Sequence, residues 1–258
     1  MFFNYYFPNY NFAHKVDKQP EANAEFAIHY HMIYEILLFI SGNAQFIIEN
    51  KKLQLHPGDL LLILPGQHHY INVNPDTPYE RYVIKFPEYD IPKGLLSAIK
   101  KRAGCYTIGD TPVLDLFGRF DFHAKNYQGD DLCGLFKNVL CEILYYSCNS
   151  KLYDFEIYNE NMIEVLNYIH ENIAKRITIE DICKHFHYSK SYICKEFRQC
   201  MNVSIIQYVR TKKILLADSL IKDGAKPMAI FEQCGFSDYS TFFRAYKKLL
   251  GRAPSSDN

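Results

Sequence analysis

The 258-residue chain contains no tryptophan, only 12 glycines and 11 prolines, and no net charge, with 29 Lys+Arg against 29 Asp+Glu. Such low Gly and Pro content excludes collagen-like and low-complexity classes, and the charge balance at first argues against a polyanion binder. Eight cysteines (105, 133, 141, 148, 183, 194, 200 and 234) never form CxxC, which excludes zinc ribbons and thioredoxin-like redox sites. The segment Cys183-Lys-His185-Phe-His187 reads as a buried thiol beside a turn histidine rather than a metal cluster. No apolar run approaches the roughly 20 residues that span a bilayer. The start, MFFNYYFPNYNF, lacks the basic region and aliphatic core of a secretory signal. Unpaired thiols fit a reducing compartment, so a cytoplasmic protein with no membrane partner is expected. No phosphate-cradling glycine loop and no nucleophile with a nearby base can be identified, so catalysis is not implied and no cofactor is expected. What is present is 48% apolar and 16% aromatic residues, ample for a sizeable core.

The charges are unevenly placed. Residues 160–258 hold 15 Lys+Arg against 11 Asp+Glu, so a mildly basic C-terminal part follows an acidic N-terminal one. Short β-type runs recur at 26–31, 34–40, 44–49, 53–55, 59–64, 70–73 and 81–86. They are separated by turn signals such as Ser41-Gly42-Asn43 and His56-Pro57-Gly58-Asp59. Many short strands at close spacing predict a sandwich or barrel. Residues 87–128 read as a helix near 92–103 with irregular connections. Leu132, Leu135, Phe136, Val139, Leu140, Ile143 and Leu144 then form a helical stripe, suited to packing on the barrel, to pairing with a second copy, or to both. Residues 149–160 read as a linker, and 161 onward as helical, ending in the turn-rich GRAPSSDN.

Two helix-turn-helix motifs stand out in the helical part. In the first, Thr178 is the expected N-cap with Asp181 as its first-turn partner, and Ile182, Cys183 and Phe186 face inward. His187-Tyr188-Ser189 makes the turn, His being enriched at positive φ, and Ser189 caps the second helix. Tyr192, Ile193 and Phe197 are expected inside, leaving Lys190, Ser191, Cys194, Lys195 and Arg198 outside. In the second motif Pro227 opens a helix with Ile230, Phe231 and Cys234 inside. Gly235-Phe236-Ser237 turns the chain, Ser237 being the expected cap. Phe242, Tyr246 and Leu249 face inward, while Tyr239, Ser240, Phe243, Arg244, Lys247 and Lys248 stay outward. One amphipathic helix, 205–222, joins the motifs. Two outward cationic helix faces on a rigid connector suit consecutive major grooves of double-stranded DNA, which recur about every 34 Å.

At these residues the chain resembles the AraC/XylS family of bacterial transcription regulators. The resemblance covers roughly 160–256, and is most specific at GFSDYSTFFRAYKKLLGRAP (235–254) and at SKSYICKEFR (189–198). It implies base-reading positions at Ser191, Cys194, Lys195, Tyr239, Ser240 and Arg244, and phosphate-facing positions at Arg198 and Lys247. The chain departs from the family pattern at Phe231, where a small Ala is usual, at Ala229, where an acidic residue is usual, and in the Ser-Asp-Asn tail.

In the β-rich half, His29-x-His31-x3-Glu35-x6-Gly42 resembles the first motif of cupin barrels. Gly58-Asp59 with Pro65-Gly-Gln-His68-His69 resembles a loosened second one. His29 and His31 share one strand face by the period of two. The cluster His29, His31, Glu35 and His69 is open to two readings, an effector-binding or structural hydrogen-bonding set and a divalent-metal site. Tyr30, Tyr34, Phe39 and Tyr82 are further candidates to line a small-molecule pocket, with a carbohydrate the favoured class. The expected architecture is therefore two-domain. An all-β cupin-like barrel with flanking helices (1–148), for effector binding and dimerisation, is followed by a linker (149–160) and an all-α DNA-binding domain with two helix-turn-helix motifs (161–258). The partners expected are double-stranded DNA, a small-molecule effector, a second copy of the chain and RNA polymerase. The alternative is a cupin-type metalloenzyme with a helical assembly domain.

Overall fold

A computed structural model describes residues 3–20, 29–101, 104–108, 112–152, 155–157 and 159–255. The first three residues of the 26–31 run, linker positions 153, 154 and 158, and tail positions 256–258 lie outside the described residues. The chain divides into two compact units, residues 1–48 with 52–156 and residues 49–51 with 157–258.

The N-terminal unit is built on two antiparallel sheets. The aromatic start, for which no element was expected, forms a hairpin of β1 (Phe3–Phe7) and β2 (Tyr10–Asp17). The turn between them is Pro8-Asn9, with Asn9 at φ 65°, a left-handed position that Asn tolerates. The remaining strands are β3 (Tyr34–Ser41), β4 (Ala44–Ile48), β5 (Lys51–Gln54), β6 (Asp59–Ile63), β7 (His69–Val73), β8 (Tyr79–Phe86), β9 (Gly104–Thr107) and β10 (Lys151–Leu152). The larger sheet runs β1-β2-β8-β3-β6-β9-β10, and the smaller contains β5-β4-β7.

Side chains alternate across each strand, which divides the larger sheet into two faces with different partners. Leu37, Phe39, Tyr79 and Val83 face the smaller sheet with Phe46, Ile48 and Ile71. Tyr34, Ile36, Leu38, Tyr82, Ile84 and Phe86 face a helical layer. That layer comprises α1 (Lys93–Lys101), α2 (Val113–Asn126) and α3 (Gly129–Asn149). Helix α2 was not foreseen within 87–128, although Val113, Leu116, Phe117 and Phe120 carry the helical i, i+3, i+4, i+7 spacing and are buried.

The α3 stripe is spent inside this core. Leu132, Phe136, Val139, Leu140, Ile143 and Leu144 are all buried against it. Of the readings left open for the stripe, packing on the unit's own core is the one these six side chains take up, with Leu135 half-buried beside them. Phe136 is the hub, with ring centroids 4.8 Å from Phe12, 5.0 Å from Phe120 and 5.8 Å from Phe3.

The helical unit begins with α4 (Glu160–Glu171) and continues with α5 (Ile179–Phe186), α6 (Lys190–Met201), α7 (Ile205–Lys222), α8 (Pro227–Ile230) and α9 (Tyr239–Leu250). Thr178 and Asp181 close the expected capping box, His187 ends α5 at φ 56°, and Ser189 caps α6 by accepting from the Tyr192 amide. In the second motif the cap is Asp238, accepting from the Thr241 amide at 2.7 Å, and not Ser237. The shift of one position lets a carboxylate face the α9 N-terminus, where the helix dipole favours negative charge.

Helix α7 belongs to two cores at once. Ile205, Tyr208 and Val209 pack with α4, α5 and α6, whereas Ile214, Ala217 and Ile221 pack with Ile230, Cys234, Phe242 and Tyr246. Buried Lys213 sits where one core gives way to the other. Its ammonium donates to the Lys175 carbonyl at 2.8 Å and to the Gly235 carbonyl at 2.7 Å. Gly235 has φ 73°, and a Cβ there would lie 2.3 Å from Lys213 Nζ and 2.5 Å from the Lys175 carbonyl oxygen. Only glycine fits that turn.

Two outcomes follow for stability. Phe136→Ala is expected to cost about 3–5 kcal/mol in a denaturant melt, and a loss under about 1 kcal/mol would contradict the hub assignment. Lys213→Met removes the ammonium that the Lys175 and Gly235 carbonyls share and is expected to cost about 1–3 kcal/mol by the same measurement. An unchanged midpoint would show that the ammonium is not a structural tie.

Candidate functional site

Two sites, one in each unit, gather the candidate residues. In the helical unit, α6 turns Ile193, Phe197, Cys200 and Met201 into the core at spacings of three and four. Lys190, Ser191, Lys195 and Arg198 are consequently exposed. Tyr192 is 38% exposed and packs on Tyr188 at 4.9 Å, which corrects its expected inward orientation. One residue away from Ile193 is about 100° around the helix, enough to leave the core. Cys194 is half-buried at the flank of the first core rather than fully outward. Lys190 reaches back 2.8 Å to Glu180 on α5, an exposed pair of the kind that contributes little to stability.

On α9, Phe242 and Tyr246 are buried, while Ser240, Arg244, Lys247 and Lys248 are exposed. Tyr239 and Phe243 are half-buried, their rings 6.2 Å apart, and Tyr239 also meets Phe231 edge-on at 5.8 Å. The bulky Phe231, where the family pattern has Ala, thus props the N-terminal end of α9. Only four residues of the preceding segment are α-helical, and the chain reaches Gly235 through a run of turns.

In the N-terminal unit a cavity of about 560 Å³ opens between the sheets. His29, Glu35 and His69 line it, together with Asn11, Lys15, Phe46, Tyr70, Arg81 and Lys85. His29 is placed by a two-way backbone bridge to His69, at 3.0 and 2.9 Å. The ring centroids of His29 and His31 lie 4.4 and 5.1 Å from that of His69. The ligand-capable atoms of His29, His31, Glu35 and His69 all fall within 4.8 Å of one another. Sequence spacing therefore assembled the right four side chains.

Four other expected residues are not brought there. Tyr82 lies on the opposite face of β8, stacked on His14 at 3.8 Å and donating to Asp121, so its expected place in the pocket is corrected. Tyr30 instead packs on His68 at 4.6 Å. Tyr34 faces the helical layer and Phe39 packs between the sheets without reaching the cavity. Sequence reasoning missed Arg81 and Lys85, although the alternation 79, 81, 83, 85 on β8 marks them as sharing the cavity face.

Electrostatically the cluster is built around Glu35. Burial pushes its carboxyl up, but the His31 hydrogen bond and the Lys85 ammonium at 3.2 Å outweigh burial and hold it well below the usual carboxylate range. Burial lowers His69 to about 4 despite the neighbouring carboxylate, so its ring is neutral near neutral pH. Among the described residues, no helix is long and apolar enough to cross a membrane.

Comparison with known proteins agrees with this division of the chain. The AraC-like ligand binding domain matches residues 18–120, and a helix-turn-helix domain matches 182–257. The chain is 23% identical over 228 residues to the probable transcriptional regulator LumQ of Photobacterium leiognathi, covering 88% of this chain and 90% of that one. It is 25% identical over 233 residues to the uncharacterized HTH-type transcriptional regulator YdiP of Escherichia coli, covering 86% and 77%. Among solved structures, ToxT from Vibrio cholerae is similar over 96% of both chains, at 17% identity and a TM-score of 0.38. With a ligand-binding domain ahead of a helix-turn-helix domain, the chain belongs to the AraC family of transcription regulators.

Proposed function

We propose that this regulator binds double-stranded DNA sequence-specifically through α6 and α9, under the control of a small molecule held in the N-terminal cavity. The observation that carries the reading is the pair of exposed cationic helix faces mounted on one connector. Helix α7 has 18 residues and so is about 27 Å long, of the order needed to present two helices to successive grooves. Lys195 and Arg244 are the base-reading cations, with Ser191, Cys194, Tyr239 and Ser240 beside them. Arg198 and Lys247 take phosphates, and Lys190 and Phe243 border the surface.

The cavity volume lies within the range of small-molecule sites, and it combines aromatic walls (Tyr6, Tyr70) with hydrogen-bonding groups (Asn9, Asn11, Lys85). A carbohydrate is the first effector class to test on that basis. An effector acts by binding one arrangement of the protein better than another, which shifts their populations. The chain works in the cytoplasm, consistent with eight cysteines outside any disulfide. A second copy would pair through the outer side of α2 and α3, where Phe122, Tyr145 and Tyr146 are exposed, since the inner stripe is used by the core. RNA polymerase is the natural protein partner of a bound regulator. The metalloenzyme alternative is disfavoured because the curated relatives carry regulator names and the helical unit has its own exposed cationic surface.

Binding-site selection over random duplexes tests this reading, an enriched motif being the expected outcome and its absence the contrary one. On the selected site, Lys195→Ala and Arg244→Ala should each cost about 1–3 kcal/mol and relax preference at one position. If neither changes the ranking of sites, the base-reading assignment fails. Lys247→Ala should weaken all duplexes alike and reduce the slope of log K against log salt by about 1.

A further inference from the structure

The inner part of the N-terminal cavity holds a buried histidine lone pair without a hydrogen-bond partner among the described residues. His69 is 3% exposed, and its Nδ1 lies 2.9 Å from the Gln67 carbonyl, so Nδ1 carries the proton and Nε2 a bare lone pair. That Nε2 is buried, has no hydrogen-bond partner among the described residues, and lies 3.8 Å from Glu35 Oε2. His31 repeats the arrangement. Its Nδ1 lies 2.8 Å from the Ile33 carbonyl and its Nε2 2.5 Å from Glu35 Oε2. Both nitrogens of His31 thus face acceptors, a geometry that the ring supports only with a proton on each nitrogen or with another cation at Nε2. Backbone carbonyls that fix Nδ1–H and aim Nε2 inward are the outer-sphere arrangement found around metal-ligating histidines.

We propose that His29, His31, Glu35 and His69 hold one divalent transition-metal ion inside this cavity. Donors at about 2.0–2.2 Å from a common ion stand roughly 3.3–3.6 Å apart when tetrahedral and about 4.4 Å when opposite each other, so the widest of the observed separations, all within 4.8 Å, closes on binding by a side-chain adjustment of up to about 1.5 Å. Three imidazoles and one carboxylate, with no thiolate, select an ion of the iron-to-zinc series over magnesium or calcium. Lys85 is the resident competitor for Glu35, and at 28% exposure its side chain has room to swing toward the cavity. The remaining coordination positions of the ion would face the cavity, so a chelating oxygen ligand is the class of molecule it would help to hold. This inference goes beyond the regulator reading and does not depend on it.

The test uses the full chain without an affinity tag, stripped with a chelator and titrated with Zn(II) and Co(II). One equivalent should bind, and the cobalt form should show visible ligand-field bands without the thiolate charge-transfer absorption that binding to the cysteines would produce. His69→Ala and the isosteric Glu35→Gln should each weaken binding about 100-fold or more. Metal-free thermal melts establish that each variant is folded, and Glu35→Gln carries the test if His69→Ala is not. No stoichiometric uptake, uptake unchanged in a folded variant, or a thiolate band would each overturn the proposal. DNA binding measured on the same metal-free protein separates the two readings. A chain that binds its site but takes up no metal refutes this inference and leaves the regulator intact.

Discussion

The geometry of the helical unit depends on one buried ammonium. Lys213 lies on the helix that both motifs share, at the point where its apolar residues change allegiance from the first core to the second. Burial lowers its pKa, and the charge is tolerated because two carbonyls accept from it, one before α5 and one at the turn before α9. A buried cation constrains direction as well as distance, since each carbonyl must stay aimed at it. Two small cores on one helix could slide or roll against each other. The ammonium, with a glycine that leaves no room for a Cβ, joins them at a defined angle. The exposed faces of α6 and α9 inherit that angle, so the spacing of cations that a DNA duplex would meet is set far from the cations themselves.

The N-terminal unit solves a different problem with the same economy of residues. The central strands of its larger sheet are covered on one face by α1–α3 and on the other by the smaller sheet. Strand parity therefore decides everything about a residue's role. On β8, odd positions line the cavity and even positions lock the sheet to the helices through Tyr82, Ile84 and Phe86. Charge can be placed inside such a unit only where it is paired. Glu35 with His31 and Lys85, and Arg81 with Asp17, meet that condition.

The parts of this structure that were legible in the sequence are those governed by local rules. Thr178, Asp181, His187 and Ser189 announced the first motif because capping and left-handed turns are chemistry within a few residues of chain. The four-residue cluster was legible from its spacing, although only Glu35 and His69 lie on strands; His29 is held by its isolated bridge to His69, and His31 by the Ile33 carbonyl rather than by a shared strand face. Errors arose where one residue of phase matters. Tyr82 was assigned to the cavity though it is one step out of parity with Arg81, and Tyr192 to the core though it is one step from Ile193. The N-terminal hairpin was hidden because β1, FNYYF, is aromatic at four of its five positions, which blurs the alternation that marks a half-buried strand. Lys213 could not be found at all: a lysine in an amphipathic helix looks solvated until the fold brings two distant carbonyls to it.

The central claim is that one protomer presents two recognition helices at an angle and separation fixed by α7. Hydroxyl-radical footprinting of the purified chain on its selected duplex tests it most directly. Two protected tracts on one face of the DNA, centred about 10 base pairs apart for each protomer, are predicted. A single tract per protomer, with the second helix leaving no trace at any protein concentration that saturates the site, would contradict the account.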